Sequence, residues 1–216
     1  MDNFLEHLNI KDEVRDFNWD EKFFKIFSTA KVKLLGNEPQ QGPDEFPYML
    51  CETVLDNETS NENITEVQKL IHWLSTKGIG LVINPRRQPN PDYVFTYGMI
   101  WSFRQTGYFV KANRLEIKET QQKKELILAS PSEDYLPKYV RQTIKDFFRD
   151  QMVLMPKILL VTTDTKNYDL CFSAESIGNP PLVEHNGICE AISWFLPTDY
   201  NIVIMSEKEF PQFELL

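Results

Sequence analysis

Cysteine is scarce in this chain: Cys51, Cys171 and Cys189 are its 3 cysteines, and they are widely spaced. An odd, scattered set does not build a disulfide framework, so a reducing cytoplasm is the expected location. Glycine is scarce too, at 8 residues. Gly78 and Gly80 lack a third glycine and follow a helical stretch, so they are not a dinucleotide fingerprint. The chain has no lysine-bearing phosphate loop, no Gly-x-Ser-x-Gly elbow and no His-Glu-x-x-His. His7, His72, His185 and the cysteines show none of the close spacing of zinc sites. Neither a metal nor a cofactor is therefore expected.

Basic residues are also in short supply. Lys and Arg total 23 against 32 Asp and Glu, a formal net charge of −9. That balance argues against binding along a nucleic-acid backbone, which needs a basic face to displace counterions. No run approaches the ~18 apolar residues of a transmembrane helix, so no membrane partner is expected. The opening Met1-Asp2-Asn3-Phe4-Leu5-Glu6 has no basic region ahead of an apolar stretch, and no secretory signal is read there. The sequons at Asn57 and Asn63 matter only in a secreted protein and are discounted.

What remains is an ordinary globular composition, 42% hydrophobic and 25% charged, in a chain of 216 residues with ample length for a core. The 13 prolines outnumber the glycines, a sign of fixed loops rather than flexible linkers. Apolar spacing predicts a helix over 19–35, stopped by Gly36, and a strand over 46–55. An acidic loop over 56–63 follows, and then a helix opened by a capping box of Thr65 and Gln68, with Val67, Leu70, Ile71 and Leu74 on one side. The strand 79–84 stops abruptly at Asn84-Pro85.

Pro85, Pro89 and Pro91 make the next loop rigid. Residues 93–97 alternate as a strand, and 98–109 read equally as strand or short helix. Residues 115–118 and 125–128 flank a polar turn at 121–124, the pattern of a hairpin. After Ser130-Pro131-Ser132 come a helix over 136–149, strands over 157–163 and 168–174 joined by a turn at 164–167, a helix over 184–195 and a last strand over 200–205. Strands and helices mix without strict alternation. The expectation is an α+β fold of two small mixed lobes, 1–130 and 131–216, each a short sheet packed against helices.

The run Gly80-Leu81-Val82-Ile83-Asn84-Pro85 resembles the strand of the enhanced serine sensitivity (SseB-type) protein family that ends in Asn-Pro. In that family a helix leads to a short strand, here 24–35, and a strand and a helix precede the Asn-Pro strand. The second half, 135–206, is similar to the family's C-terminal domain, with Leu196-Pro197-Thr198-Asp199-Tyr200 as the lead-in to the final strand. Leu50-Cys51-Glu52-Thr53 departs from the family's middle strand, and 93–109 is unusually aromatic. The resemblance implies an α+β protein with no established enzymatic activity.

Three constellations carry possible chemistry. Cys189 lies four residues after His185, a spacing that on a helix could supply a nucleophile and base for a hydrolase or transferase, with Glu184 or Glu190 orienting the imidazole. A buried structural cysteine is the favoured reading, because catalytic Cys–His pairs come from separate elements and cysteine is among the most buried residues. Arg86 and Arg87 present planar forks to an anion, or pair with acidic neighbours. The aromatic set around them either packs the core or meets a partner, with Tyr97, Trp101 and Arg104 as the members expected to be exposed. In a strand, Tyr93, Phe95 and Tyr97 take one face, and Asp92, Val94 and Thr96 the other. The function expected is a non-enzymatic protein that binds another protein through 85–109, at Arg86, Arg87, Tyr97, Trp101 and Arg104. The alternatives are the Cys/His enzyme and a small-anion sensor at Arg86 and Arg87.

Overall fold

The computed structural model describes residues 4–54, 63–110, 126–164 and 167–216. Most of the acidic loop 56–63, the first arm and turn of the hairpin expected over 115–128, and the middle of the turn at 164–167 lie outside the described residues. The chain divides into two compact units, Met1–Phe109 and Val110–Leu216. Both are α+β, each with one mixed sheet and packed helices.

The first unit opens with a short helix α1 (Phe4–Leu8) and a 3-10 turn at Asp12–Val14. Helix α2 (Phe17–Phe27) starts at Asp16, whose carboxylate accepts the Trp19 N–H at 2.9 Å and satisfies an otherwise orphaned donor. Trp19, Phe23 and Phe27 recur every four residues and are buried. The helix ends earlier than its apolar spacing predicts. Ser28 and Thr29 turn their hydroxyls back onto the carbonyls of Lys25 and Ile26, competing with the helix ladder, and the chain leaves as strand β1 (Lys31–Leu34).

Strands β2 (Gln40–Gln41), β3 (Pro47–Thr53) and β4 (Ile64–Glu66) follow, then helix α3 (Val67–Ser75). The capping box expected at Thr65 and Gln68 does not form. Thr65 sits in the sheet opposite Val32, and the helix cap is Glu66, without a side-chain bond. Strands β5 (Gly80–Ile83) and β6 (Tyr93–Phe95) lead into helix α4 (Tyr97–Thr106). The sheet order is β4–β1–β3–β5–β6, with β2 on β3. Only β3 and β5 run parallel, joined through α3.

One face of this sheet takes Val32, Met49, Cys51, Leu81, Ile83 and Phe95, all buried. Aromatic rings of α2 pack on it. Phe27 lies 4.9 Å from Phe95, and Phe24 meets Tyr93 edge-on at 5.5 Å. Burying one such phenylalanine contributes about 1.5–3 kcal/mol, and Phe23, Phe27, Phe95 and Phe109 are all buried.

The first strand described in the second unit is β7 (Ile127–Ala129), upstream of the break expected at Ser130. β7 pairs with β8, so it belongs to the second sheet. Then come α5 (Lys138–Asp150), β8 (Lys157–Thr162), β9 (Asp169–Ser173), α6 (Leu182–Ser193), β10 (Asn201–Met205) and β11 (Glu214–Leu215). The order is β10–β9–β8–β11, with β7 also on β8. β9 and β10 are parallel, joined through α6, and β8 is antiparallel to β9. Phe148 of α5 packs on Phe172 at 5.7 Å on one face. On the other face Phe210 and Phe213 pack against Leu159, Val161 and Cys171. Among the described residues no helix is long and apolar enough to cross a membrane.

Candidate functional site

The site most exposed to test is the loop after β5. The strand ends at Asn84, whose φ of 49° lies in the left-handed region that asparagine tolerates. Its N–H donates to the Cys51 carbonyl at 2.8 Å, and its Oδ1 accepts the Thr53 N–H at 3.0 Å. Its Nδ2 donates to Asp92 Oδ2 at 2.6 Å. Asn84 thus ties the ends of the parallel strands β3 and β5 to the far end of the proline loop.

Asp92 is buried and carries two arginines. Arg87 Nη1 donates to its Oδ1 at 2.5 Å and Arg15 Nη2 at 3.3 Å. Arg15 also donates to the carbonyls of Asp92, Leu8 and Ile10, and its guanidinium lies 4.3 Å over the Trp19 ring. Asp12 completes the cluster, 3.0 Å from Arg87 and 3.3 Å from Arg15. A buried carboxylate is tolerable only when paired and hydrogen-bonded, and this one is. Of the two readings of Arg87, pairing with acidic neighbours is the one the geometry matches. Its forks are turned to Asp92 and Asp12.

Arg86 is different. Its side chain is 83% exposed and stands 3.8 Å from Glu52. Glu52 points to the sheet face turned away from α2, together with Lys33, which it meets in register. Leu50, Val82 and Val94 form an in-register row on that same face, with Leu50 half-buried, Val82 buried and Val94 alone exposed. Val94 is 40% exposed, whereas its strand neighbour Phe95 is buried against α2. Arg86 and Val94 therefore share one surface.

Two expected positions are corrected. Tyr97 and Trp101 are buried, not exposed. The strand stops at Phe95, because the Thr96 hydroxyl accepts the Met99 N–H at 3.4 Å and starts α4. Four residues apart on that helix, Tyr97 and Trp101 share its inner side. The Tyr97 hydroxyl donates to the Ser75 carbonyl at 2.9 Å. Arg104 is exposed as expected, with Nη1 donating to the Ser75 hydroxyl at 3.0 Å. Tyr97 and Arg104 together fasten α4 to the end of α3. They do not meet Arg86 or Arg87 in any hydrogen bond or ion pair described.

His185 and Cys189 both lie on α6. The His185 ring nitrogen Nε2 is 3.1 Å from the Pro180 carbonyl, and Cys189 is half-buried. Burial pushes the Cys189 thiol up, away from the thiolate a nucleophile needs. Burial also pushes Cys171 up to about 12, and Cys51 further. All three thiols are free. Among the described residues no group of three or more His, Cys, Asp or Glu is placed to hold a metal ion.

A second polar cluster lies at the ends of β9 and β10. Glu207 accepts Lys157 Nζ at 2.7 Å and the Ser173 hydroxyl at 2.6 Å. Glu175 accepts the Ser206 hydroxyl at 2.5 Å and the Glu207 N–H at 2.8 Å. This cluster was not legible in the sequence, because its members lie far apart along the chain; of the Asp92 cluster, pairing of Arg87 with an acidic neighbour was one of the expected readings, whereas the distant Arg15 and Asp12 gave no signal. The placement of Val94 had a signal: alternation set it on the face opposite Tyr93 and Phe95.

What fold and site define is an α+β protein of two units, with a carboxylate–arginine cluster behind the proline loop of the first and a carboxylate–serine cluster at the strand ends of the second. No protein-family model, curated protein or solved structure matches the chain.

Proposed function

We propose that this chain is a non-enzymatic, cytoplasmic protein-binding module, and that it meets its partner through the outer side of segment 85–109. The observation that carries the reading is the shared surface of Arg86 and Val94. An exposed arginine and the exposed Val94 on one sheet face, bordered by Glu52 and Lys33, match the composition of a protein interface, where arginine and buried apolar area supply most of the affinity. Tyr97 and Trp101 drop out of the contact surface, and Arg87 serves the loop rather than the partner. The raised thiol of Cys189 weighs against the Cys/His enzyme. The carboxylates on Arg87 weigh against an anion sensor.

Membership of the SseB-type family is part of the same proposal. It is supported by the helix–strand–strand–helix–strand path of both units and by the Asn84-Pro85 ending of β5. The test is capture of partners from the native host by the tagged full chain and by an Arg86→Glu/Val94→Asp variant with an unchanged circular dichroism spectrum. A stoichiometric partner lost by the variant is expected. A partner retained in full by the folded variant overturns this surface.

A further inference from the structure

The two sheets differ at one edge. In the first, the strand that follows the crossover helix, β5, carries an antiparallel neighbour, β6. In the second, the corresponding strand β10 closes the sheet, and among the described residues no strand lies on its outer side. The segment Asn201-Ile202-Val203-Ile204-Met205 has no charge, no proline and no bulge. Natural sheets guard exposed edges with such devices, so an edge without them points to pairing.

The direction of its free groups is fixed by one bond. The Met205 carbonyl accepts the Ala174 N–H at 2.9 Å, so Met205 faces β9. Backbone groups alternate along a strand, so Val203 and Asn201 face β9 as well. Ile202 and Ile204 therefore turn their N–H and C=O groups outward. Helix α6, which packs on β10, leaves Leu182 and Val183 of its first turn 83% and 88% exposed.

We propose that β10 pairs antiparallel with β10 of a second copy of this chain, about a twofold axis through Val203. That register sets Ile202 against Ile204 of the second copy and Ile204 against its Ile202. Each of these is a hydrogen-bonded pair that exchanges both N–H···O bonds, so all the outward groups of Ile202 and Ile204 are satisfied. Val203 meets Val203 in the closer, non-hydrogen-bonded position. The segment is self-complementary, as a twofold interface requires. It is also neutral, so two copies that each carry a formal charge of −9 meet without like charges on the paired strands. Their longer-range repulsion is screened by salt, so salt strengthens the dimer. The occupant is a second copy rather than a basic peptide for the same reason: nothing acidic on the edge itself would hold one.

The experiment is light scattering of the full chain across a dilution series at low and high salt, with native-state amide exchange on the same samples. The expected result is a doubled mass that grows with protein and with salt, alongside slow exchange at the amides of Ile202 and Ile204. Ile204→Pro removes only an outward donor, a change an edge strand tolerates, and it is expected to return the monomer mass with an unchanged circular dichroism spectrum. If that variant does not fold, the exchange data decide. A monomer at the highest concentration in high salt overturns the proposal. So does a dimer in which Ile202 and Ile204 exchange freely, or one that survives Ile204→Pro. Protection of those amides only when another protein is added also overturns it, in favour of an added strand from that protein.

Discussion

Asp92 is the residue on which the first unit's loop depends. It is 6% exposed at its side chain, and Arg87 and Arg15 both turn to it. Asp92→Asn keeps the shape but removes the charge, leaving two guanidiniums facing a neutral amide. Breaking a buried pair from one side costs about 3–5 kcal/mol, and the part-exposed Arg87 lowers this to about 2–4 kcal/mol. A fall of that size in the urea unfolding free energy is expected. Arg86→Ala, at a solvated ion pair, is expected to change it by less than about 0.5 kcal/mol. Equal losses for the two variants would show that the Asp92 cluster is not a latch. The cysteines give a second test at this scale. Burial disfavours the thiolate of all three, so iodoacetamide at neutral pH is expected to leave Cys51 and Cys171 unlabelled until the chain is denatured. Cys189 is expected to label more slowly in the native than in the denatured chain. Fast native labelling of Cys189 would return the enzyme reading to contention.

At the scale of elements, two glycines separate two kinds of constraint. Gly107 caps α4 at φ +78°, with nothing within 4 Å of where a Cβ would stand. Gly107→Ala is therefore expected to cost only the left-handed backbone penalty, about 1 kcal/mol. On β5, a Cβ at Gly80 would lie 2.6 Å from the Tyr48 ring and 2.7 Å from the Phe95 carbonyl. The Phe95 carbonyl cannot retreat without opening the β5–β6 pairing, and the buried Tyr48 ring is held by its hydroxyl, which donates to Asp44 Oδ2 at 2.6 Å. Gly80→Ala is expected to cost more than Gly107→Ala, at least about 1–3 kcal/mol, read as a shift in denaturation midpoint at constant slope. The strands β3, β5, β8, β9 and β10 were all legible in the sequence, since continuous or alternating apolar runs set them within a residue or two. Helix α4 was not, because an apolar run of that length fits strand or helix alike, and the Thr96 cap that decides it is a single hydroxyl. The end of α2 was missed because Ala30 and Leu34 continue a helical spacing that pairing of β1 with β3 and β4 overrides. The short strands β2, β4 and β11 have too few residues to show a period.

At the scale of the whole molecule, both units follow one path, α2–β1–β3–α3–β5 and α5–β8–β9–α6–β10, with the last strand parallel to its predecessor. Each unit also fastens the carboxyl ends of its parallel pair with side chains, Asn84 and Asp92 in the first and Glu175 and Glu207 in the second. The second fastening titrates. Hydrogen bonds from Lys157 and Ser173 hold the Glu207 carboxyl below its ordinary value of 4.5, and those from Ser206 and the Glu207 N–H do the same for Glu175. The Trp19 N–H similarly lowers Asp16 at the start of α2. A carboxylate whose folded value is depressed contributes stability that is present above its unfolded value. That stability is lost as pH falls through the folded value. Asp20 acts in the opposite sense, since burial raises its carboxyl, but it stands alone against three. The net expectation is a denaturation midpoint that is flat between pH 7 and about 5 and falls steeply below about 4. Glu207→Gln cannot ionise, so it is expected to lower the midpoint at pH 7 and to flatten the acid-side fall. A variant that loses stability at pH 7 yet keeps the full acid-side slope would place the titration elsewhere and leave Glu207 a purely geometric tie between β8 and β9.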